Sequence, residues 1–204
     1  EFHKALYQLT RDFNILYVAD EVQSGMGRTG RMFASEHFDI VPDIITLAKG
    51  IASGLPLSAM VASEKIMNWL PGSHASTFGG NPVSCQAALT TIRLLEEGLI
   101  DNAAKQGDYM INELKKLERT YPIIGDVRGL GLMLAAEIVK DKETKEYAPE
   151  VRDSIIQKAF SKGLLLLGCG RSAIRFCPPL ILTKDDAGIA LSIFEECLKA
   201  AIQK

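Results

Sequence analysis

The 204-residue chain has 23 basic and 25 acidic residues, a net charge of −2, 47% apolar residues and 24% charged residues. That balance is ordinary for a globular protein and gives no electrostatic reason to expect nucleic acid or an anionic membrane as partner. No apolar run approaches membrane-spanning length. The four cysteines (Cys85, Cys169, Cys177 and Cys197) are scattered without a C-x-x-C pair, and the three histidines lack metal-ligand spacing. These features predict a reduced, cytoplasmic protein with no metal site. The start, Glu1-Phe2-His3-Lys4, lacks an initiator Met and falls inside an amphipathic pattern, so a longer polypeptide is expected.

In chain order, Phe2 to Phe13 has helical spacing. Ile15 to Ala19 is a short apolar run ending at Asp20-Glu21, and such runs suit strands buried on both faces of a parallel sheet. Val22 to Arg31 holds three glycines and is a loop. A second apolar run, Ile44 to Ala48, ends at Lys49-Gly50, and a third covers Leu57 to Ala62. The glycine-rich stretch Gly72 to Pro82 opens a helix reaching about Glu97.

The character then changes. Leu99 to Thr120 reads as one long helix. Strand-like runs follow at Ile123 to Val127 and Leu130 to Val139, with a charged turn at Lys140 to Lys145. Val151 to Phe160 is helical, Leu164 to Leu167 and Ala173 to Phe176 are short strands, and Asp185 to Ile202 is a last helix. Thr183 and Asp186 form a capping-box pattern. The pattern predicts an α/β part with parallel strands over residues 1–97 and a smaller α+β domain over 98–204.

In open parallel sheets, ligands bind beyond the carboxyl ends of the strands. Two consecutive strands end in opposite charge here, Asp20-Glu21 on one and Lys49 on the next. Alone, that pattern fits a structural ion pair as well as a site. It also matches a Schiff-base lysine with an aspartate facing a pyridinium nitrogen.

Three ordered stretches carry a resemblance. They are Asp20-Glu21-Val22-Gln23-Ser24-Gly25-Met26-Gly27-Arg28-Thr29-Gly30, Pro42-Asp43-Ile44-Ile45-Thr46-Leu47-Ala48-Lys49-Gly50, and His74-Ala75-Ser76-Thr77-Phe78-Gly79-Gly80-Asn81-Pro82. Together they resemble the C-terminal portion of class III, ω-amino-acid aminotransferases, 4-aminobutyrate aminotransferase-like members included. The likeness continues through Val127-Arg128-Gly129-Leu130-Gly131-Leu132-Met133 and Ile174-Arg175-Phe176-Cys177-Pro178-Pro179-Leu180.

The resemblance implies a type I fold for pyridoxal-phosphate-dependent transferases, with 1–97 as part of the large parallel-sheet domain. It implies pyridoxal 5′-phosphate as cofactor, held on Lys49, which is also the catalytic proton carrier. Asp20 would pair with the ring nitrogen. Val22 would pack on the ring, or simply in the core, and Gln23 would bond the ring hydroxyl oxygen. Thr77 would reach a neighbouring subunit's cofactor phosphate, which implies a homodimer. Arg175 would bind a substrate carboxylate.

The implied reaction moves an amino group from an ω-amino acid to a 2-oxo acid such as 2-oxoglutarate. Racemisation by the same family is the alternative, and a non-catalytic partial chain is a third reading. The family's phosphate loop, an aromatic residue stacking on the ring and a glutamate masking the arginine precede the portion seen here. The isolated chain is therefore expected to be incomplete as an enzyme, with an apolar strand edge exposed at Ile15 to Ala19.

Overall fold

The computed structural model describes residues 1–202, which divide into two compact units, 1–100 and 101–202. In the first unit, helix α1 (Phe2–Asp12) leads through Asn14, at φ 52°, into strand β1 (Val18–Asp20). Asparagine tolerates this left-handed conformation better than most residues. One face of α1 packs by aromatic contacts, with His3 4.3 Å from Phe38 and Tyr7 5.6 Å from Tyr17 between ring centroids. Phe2, Leu6, Leu9 and Phe13, at helical spacing on another face, are exposed.

Strand β2 (Ile44–Leu47) runs parallel to β1, with Asp20 opposite Thr46. Strand β3 (Ala59–Ala62) pairs with the other side of β2, with Leu47 opposite Ala59. It runs antiparallel, unlike the parallel order expected of the three runs. The connection 48–58 is too short for the crossover of a dozen or more residues that a parallel return needs. β1 and β3 are therefore the edges of this sheet, and Val18 and Val61 are more than half exposed rather than buried on both faces.

Asp43 ties the start of this sheet together. Its carboxylate accepts 3.0 Å and closer contacts from the Arg11 guanidinium at the end of α1, and a 2.7 Å bond from the Tyr17 N–H just before β1. Arg11 also donates to the Ile15 carbonyl at 3.0 Å.

Helix α2 (Pro82–Leu94) is capped by Asn81, whose Oδ1 accepts from the N–H groups of Val83 (3.0 Å) and Ser84 (3.1 Å). A single wide turn, Leu95–Leu99, joins α2 to helix α3 (Ile100–Thr120). Gly98 at φ 141° breaks the helix there, in a conformation that side chains disfavour.

The second unit is a four-stranded antiparallel sheet of order β4-β5-β7-β6, built from β4 (Ile124–Leu130), β5 (Met133–Ile138), β6 (Leu167–Cys169) and β7 (Ala173–Phe176). Helices α4 (Pro149–Ser161) and α5 (Lys184–Ile202) complete it. Along β5, Leu134, Ala136 and Ile138 are buried in the helix-covered core while Met133, Ala135 and Glu137 are only partly buried. Phe176 and Phe194 meet edge to face at 5.0 Å in that core. Gly107 of α3 lies against the β4–β5 turn so closely that a Cβ would stand 2.3 Å from the Gly131 carbonyl oxygen.

Several boundaries differ from expectation, among them the start of β1 at Val18 rather than Ile15. Leu130 closes β4 instead of opening β5, because the turn sits at Gly131-Leu132. β6 begins at Leu167 rather than Leu164, and its pairing with β7 runs from Leu167 opposite Arg175 to Cys169 opposite Ala173. The Thr183 cap is present: its Oγ accepts from the Asp186 N–H at 3.1 Å and donates to the Asp186 carboxylate.

The Arg11 hydrogen bond, then the Tyr17 N–H, hold the Asp43 carboxyl below the usual carboxylate range. A folded value beneath the unfolded one of about 4 contributes stability above that range, and this is lost as pH falls through the folded value. Asp43→Asn in the intact protein should therefore lower the melting temperature at pH 7. The gap from wild type should close as the pH is taken below the carboxylate range. A gap that is independent of pH would contradict this role.

Candidate functional site

Because β1 and β2 are parallel, their carboxyl ends reach the same rim. Asp20 is the last residue of β1, level with Thr46, and Lys49 follows three residues beyond Thr46. Asp20 Oδ1 is anchored by the Val22 N–H at 3.0 Å and faces the Thr46 hydroxyl at 3.4 Å. Its Oδ2 has no hydrogen bond among the described residues, so one oxygen is fixed and the other is available. Val22 thus contributes its backbone to the rim, and its side chain is half-buried.

Lys49 opens a short 3₁₀ turn, Lys49–Ala52, at φ 45°. A lysine held in the left-handed region is strained by about 1–3 kcal/mol, and such strain gathers at functional positions. The side chain is exposed and makes no ion pair among the described residues, so it carries no structural ion pair there. The turn is backed by α2, and Ser53 Oγ and Thr91 Oγ are 2.9 Å apart.

The loop after β1 is shaped by Glu21, which is 3% exposed. Glu21 Oε1 accepts from the Ser35 N–H at 2.8 Å, and Oε2 accepts from the Ser24 hydroxyl. Gly25 is required at its position, since a Cβ would lie 2.8 Å from the Glu21 carbonyl oxygen. Gln23 is exposed within this loop. Glu21 and Gly25 both support this loop, and Gly25 is the one that residue-type reasoning did not single out.

Thr77 is exposed in the loop that precedes α2. No hydrogen bond or ion pair joins it to Asp20 or Lys49 among the described residues. Arg175 belongs to the second unit, in the central strand β7, opposite Ala135 on one side and Leu167 on the other. It lines a cleft of about 130 Å³ with Leu165, Leu167, Cys177 and Pro178 among its walls.

No cluster of His, Cys, Asp or Glu suited to a metal occurs among the described residues. No helix among them is long and apolar enough to cross a membrane. An organic cofactor fits the rim better than a metal does: an anchored carboxylate for a heterocyclic nitrogen stands on the same rim as an unpaired amine for a carbonyl carbon.

Comparison with known proteins agrees with this chemistry. The model of the class-III aminotransferase family matches residues 1–198. The chain is 37% identical to acetylornithine aminotransferase of Caldanaerobacter subterraneus subsp. tengcongensis, over 97% of its own length and 48% of that protein. It is 43% identical to alanine/serine racemase of Pyrococcus horikoshii, over 97% of its length and 42% of the racemase. An amine transaminase from an uncultivated Pseudomonas species, solved in its pyridoxal-phosphate-bound form, superposes with a TM-score of 0.90 at 35% identity, covering 96% of this chain and 47% of that one.

The chain belongs to the class-III aminotransferase family. Its architecture is that of type I pyridoxal-phosphate-dependent transaminases, and the cofactor that goes with the family is pyridoxal 5′-phosphate. The chain spans about half the length of the relatives it matches.

The role of Glu21 is testable by stability. Glu21→Ala leaves the Ser35 N–H and the Ser24 hydroxyl without their acceptor, which costs about 2 kcal/mol. Urea unfolding of the intact protein should read that loss, and an unchanged midpoint would remove Glu21 from the loop's support.

Proposed function

We propose that the protein containing this chain is a pyridoxal-phosphate-dependent aminotransferase that moves an amino group from an ω-amino acid, 4-aminobutyrate or a near relative, to a 2-oxo acid such as 2-oxoglutarate. The observation that carries this reading is the shared rim, with an Asp20 carboxylate anchored at one oxygen and an unpaired Lys49 amine. The two units would serve as the cofactor-bearing part and the small substrate-binding domain. With all four cysteines free, a reducing, cytoplasmic setting suits the protein.

When bound, the cofactor supplies an electron sink that makes the substrate Cα–H acidic. Asp20 holds the proton on the ring nitrogen, since a close carboxylate favours the protonated form. Its anchoring by Val22 and Thr46 keeps the free oxygen aimed without reorganisation. Val22 would pack against the ring and Gln23 would donate to the ring hydroxyl oxygen. Lys49 would hold the cofactor covalently and, once the incoming substrate amine has displaced it, its free amine would carry the proton that substrate Cα gives up. Arg175 meets the substrate carboxylate through its planar fork. Thr77, exposed in its own chain, would serve the phosphate of the partner chain in a homodimer.

A racemase reading also has support, from the 43% identity to alanine/serine racemase. There Lys49 and Asp20 keep their roles, but the proton returns to Cα from the opposite face. Incubation with an amino acid and no 2-oxo acid separates the two. Stoichiometric conversion to the pyridoxamine form supports transfer, whereas loss of optical activity without conversion supports racemisation.

Borohydride reduction of the cofactor-loaded intact protein, followed by peptide mapping, should place the label on Lys49. Label on another lysine would overturn the assignment. Asp20→Asn should keep the cofactor bound while lowering kcat by about 10²-fold or more, the scale on which positioned proton-holding groups act. The 204 residues by themselves are expected to show no turnover at enzymatic rates, which an assay of the isolated chain would check.

A further inference from the structure

The open face of the β4-β5-β7-β6 sheet carries more charge than the proposed reaction uses. Register sets Arg128, Ala135, Arg175 and Leu167 side by side across the four strands. Side chains alternate along strands, so these four share a face with Asp126 and Glu137, which are paired in the adjoining row. Arg128 donates to Asp126 Oδ2 and to Glu137 Oε2, each at 2.7 Å. One guanidinium thus serves two carboxylates.

The second oxygen of Glu137 is the unexplained atom. Oε1 is buried and has no hydrogen-bond partner among the described residues. A buried carboxylate oxygen without a donor is costly, so a native chain keeps one only for a reason. Glu137 stands opposite Ala173, and Arg175, two residues on along β7, is its diagonal neighbour. Diagonal neighbours on one face lie about 7–8 Å apart, a span that long side chains bridge. Ala135, directly opposite Arg175, is too small to separate them. Arg175 Nε is itself buried.

We infer that Glu137 is a positioning residue for Arg175. Oε2 stays on Arg128, and Oε1 takes the Nε side of the Arg175 guanidinium when a carboxylate occupies the Nη end. The face then alternates in charge, with Asp126 and Arg128 on β4, Glu137 on β5 and Arg175 on β7. Arg128 acts only as the tether of Glu137. The inference rests on Arg175 being the substrate-carboxylate receptor, and it adds that this receptor is oriented by a residue touching no substrate.

The test uses the intact, cofactor-loaded protein and two probes. Glutarate carries carboxylates but no amine to transfer, and its binding is read by calorimetry. Butylamine has no carboxylate, and its KM is read by turnover. Glu137→Gln should weaken glutarate binding about tenfold, as loss of one charged hydrogen bond predicts, and leave the butylamine KM within about twofold. Glu137→Asp, which keeps the charge, should recover part of the glutarate affinity.

An unchanged glutarate affinity in Glu137→Gln, with binding lost in Arg175→Gln, would overturn the inference alone. Unchanged affinity in both variants would overturn the reading of Arg175 and the inference with it. Equal losses for glutarate and butylamine would reduce Glu137 to a structural residue and overturn the inference as well.

Discussion

Parallel hydrogen bonding between β1 and β2 brings two chemically opposite strand ends to one rim. Asp20 and Lys49 would leave opposite ends of the sheet if either strand were reversed. The pairing is secured where the strands begin, by Asp43 between Arg11 and the Tyr17 N–H. An ion pair and a backbone bond at one end of the sheet therefore set the register of residues at the other. β3 shows the contrast: with only a short connection available, it can return only antiparallel, and it carries no site residue.

Around that rim, burial and strain are spent on geometry. Glu21 is buried so that two donors fold the glycine loop over it, and Gly25 permits the close approach. Lys49 sits in a left-handed conformation. Such positions lower stability locally and persist because the packed turn behind them holds. The second unit solves a different problem. One face of its sheet is a hydrophobic core, and the other carries charged residues on central strands, where backbone pairing on both sides keeps an arginine such as Arg175 steady.

Transamination and racemisation differ only in where a proton is delivered, at the cofactor carbon or back at Cα. In the proposed reading both use the Lys49 amine and the Asp20 carboxylate. It is consistent that a chain with this rim resembles an acetylornithine aminotransferase and an amino-acid racemase to similar degrees. Selection among substrates lies instead with groups that meet the side chain and carboxylate of the substrate, a role proposed here for Arg175.

The sequence alone determined the elements with strong periodicity and punctuation: α1, the long α3, the Thr183-capped α5, the glycine loop after β1, and the motifs bearing Asp20, Lys49, Thr77 and Arg175. Local chemistry is enough for these, since caps, glycines and apolar spacing act over a few residues. Strand direction, strand ends and burial were decided only in three dimensions. Val18 reads as core but sits at an edge, Leu164 reads as strand but finds no partner, and Glu21 reads as a loop acid but is buried. Likewise Glu137 gains meaning only from register, because its neighbours Arg128 and Arg175 are far apart in the chain and meet on one sheet face. Pairing partners and solvent access are properties of distant segments brought together, and no short window of residues contains them.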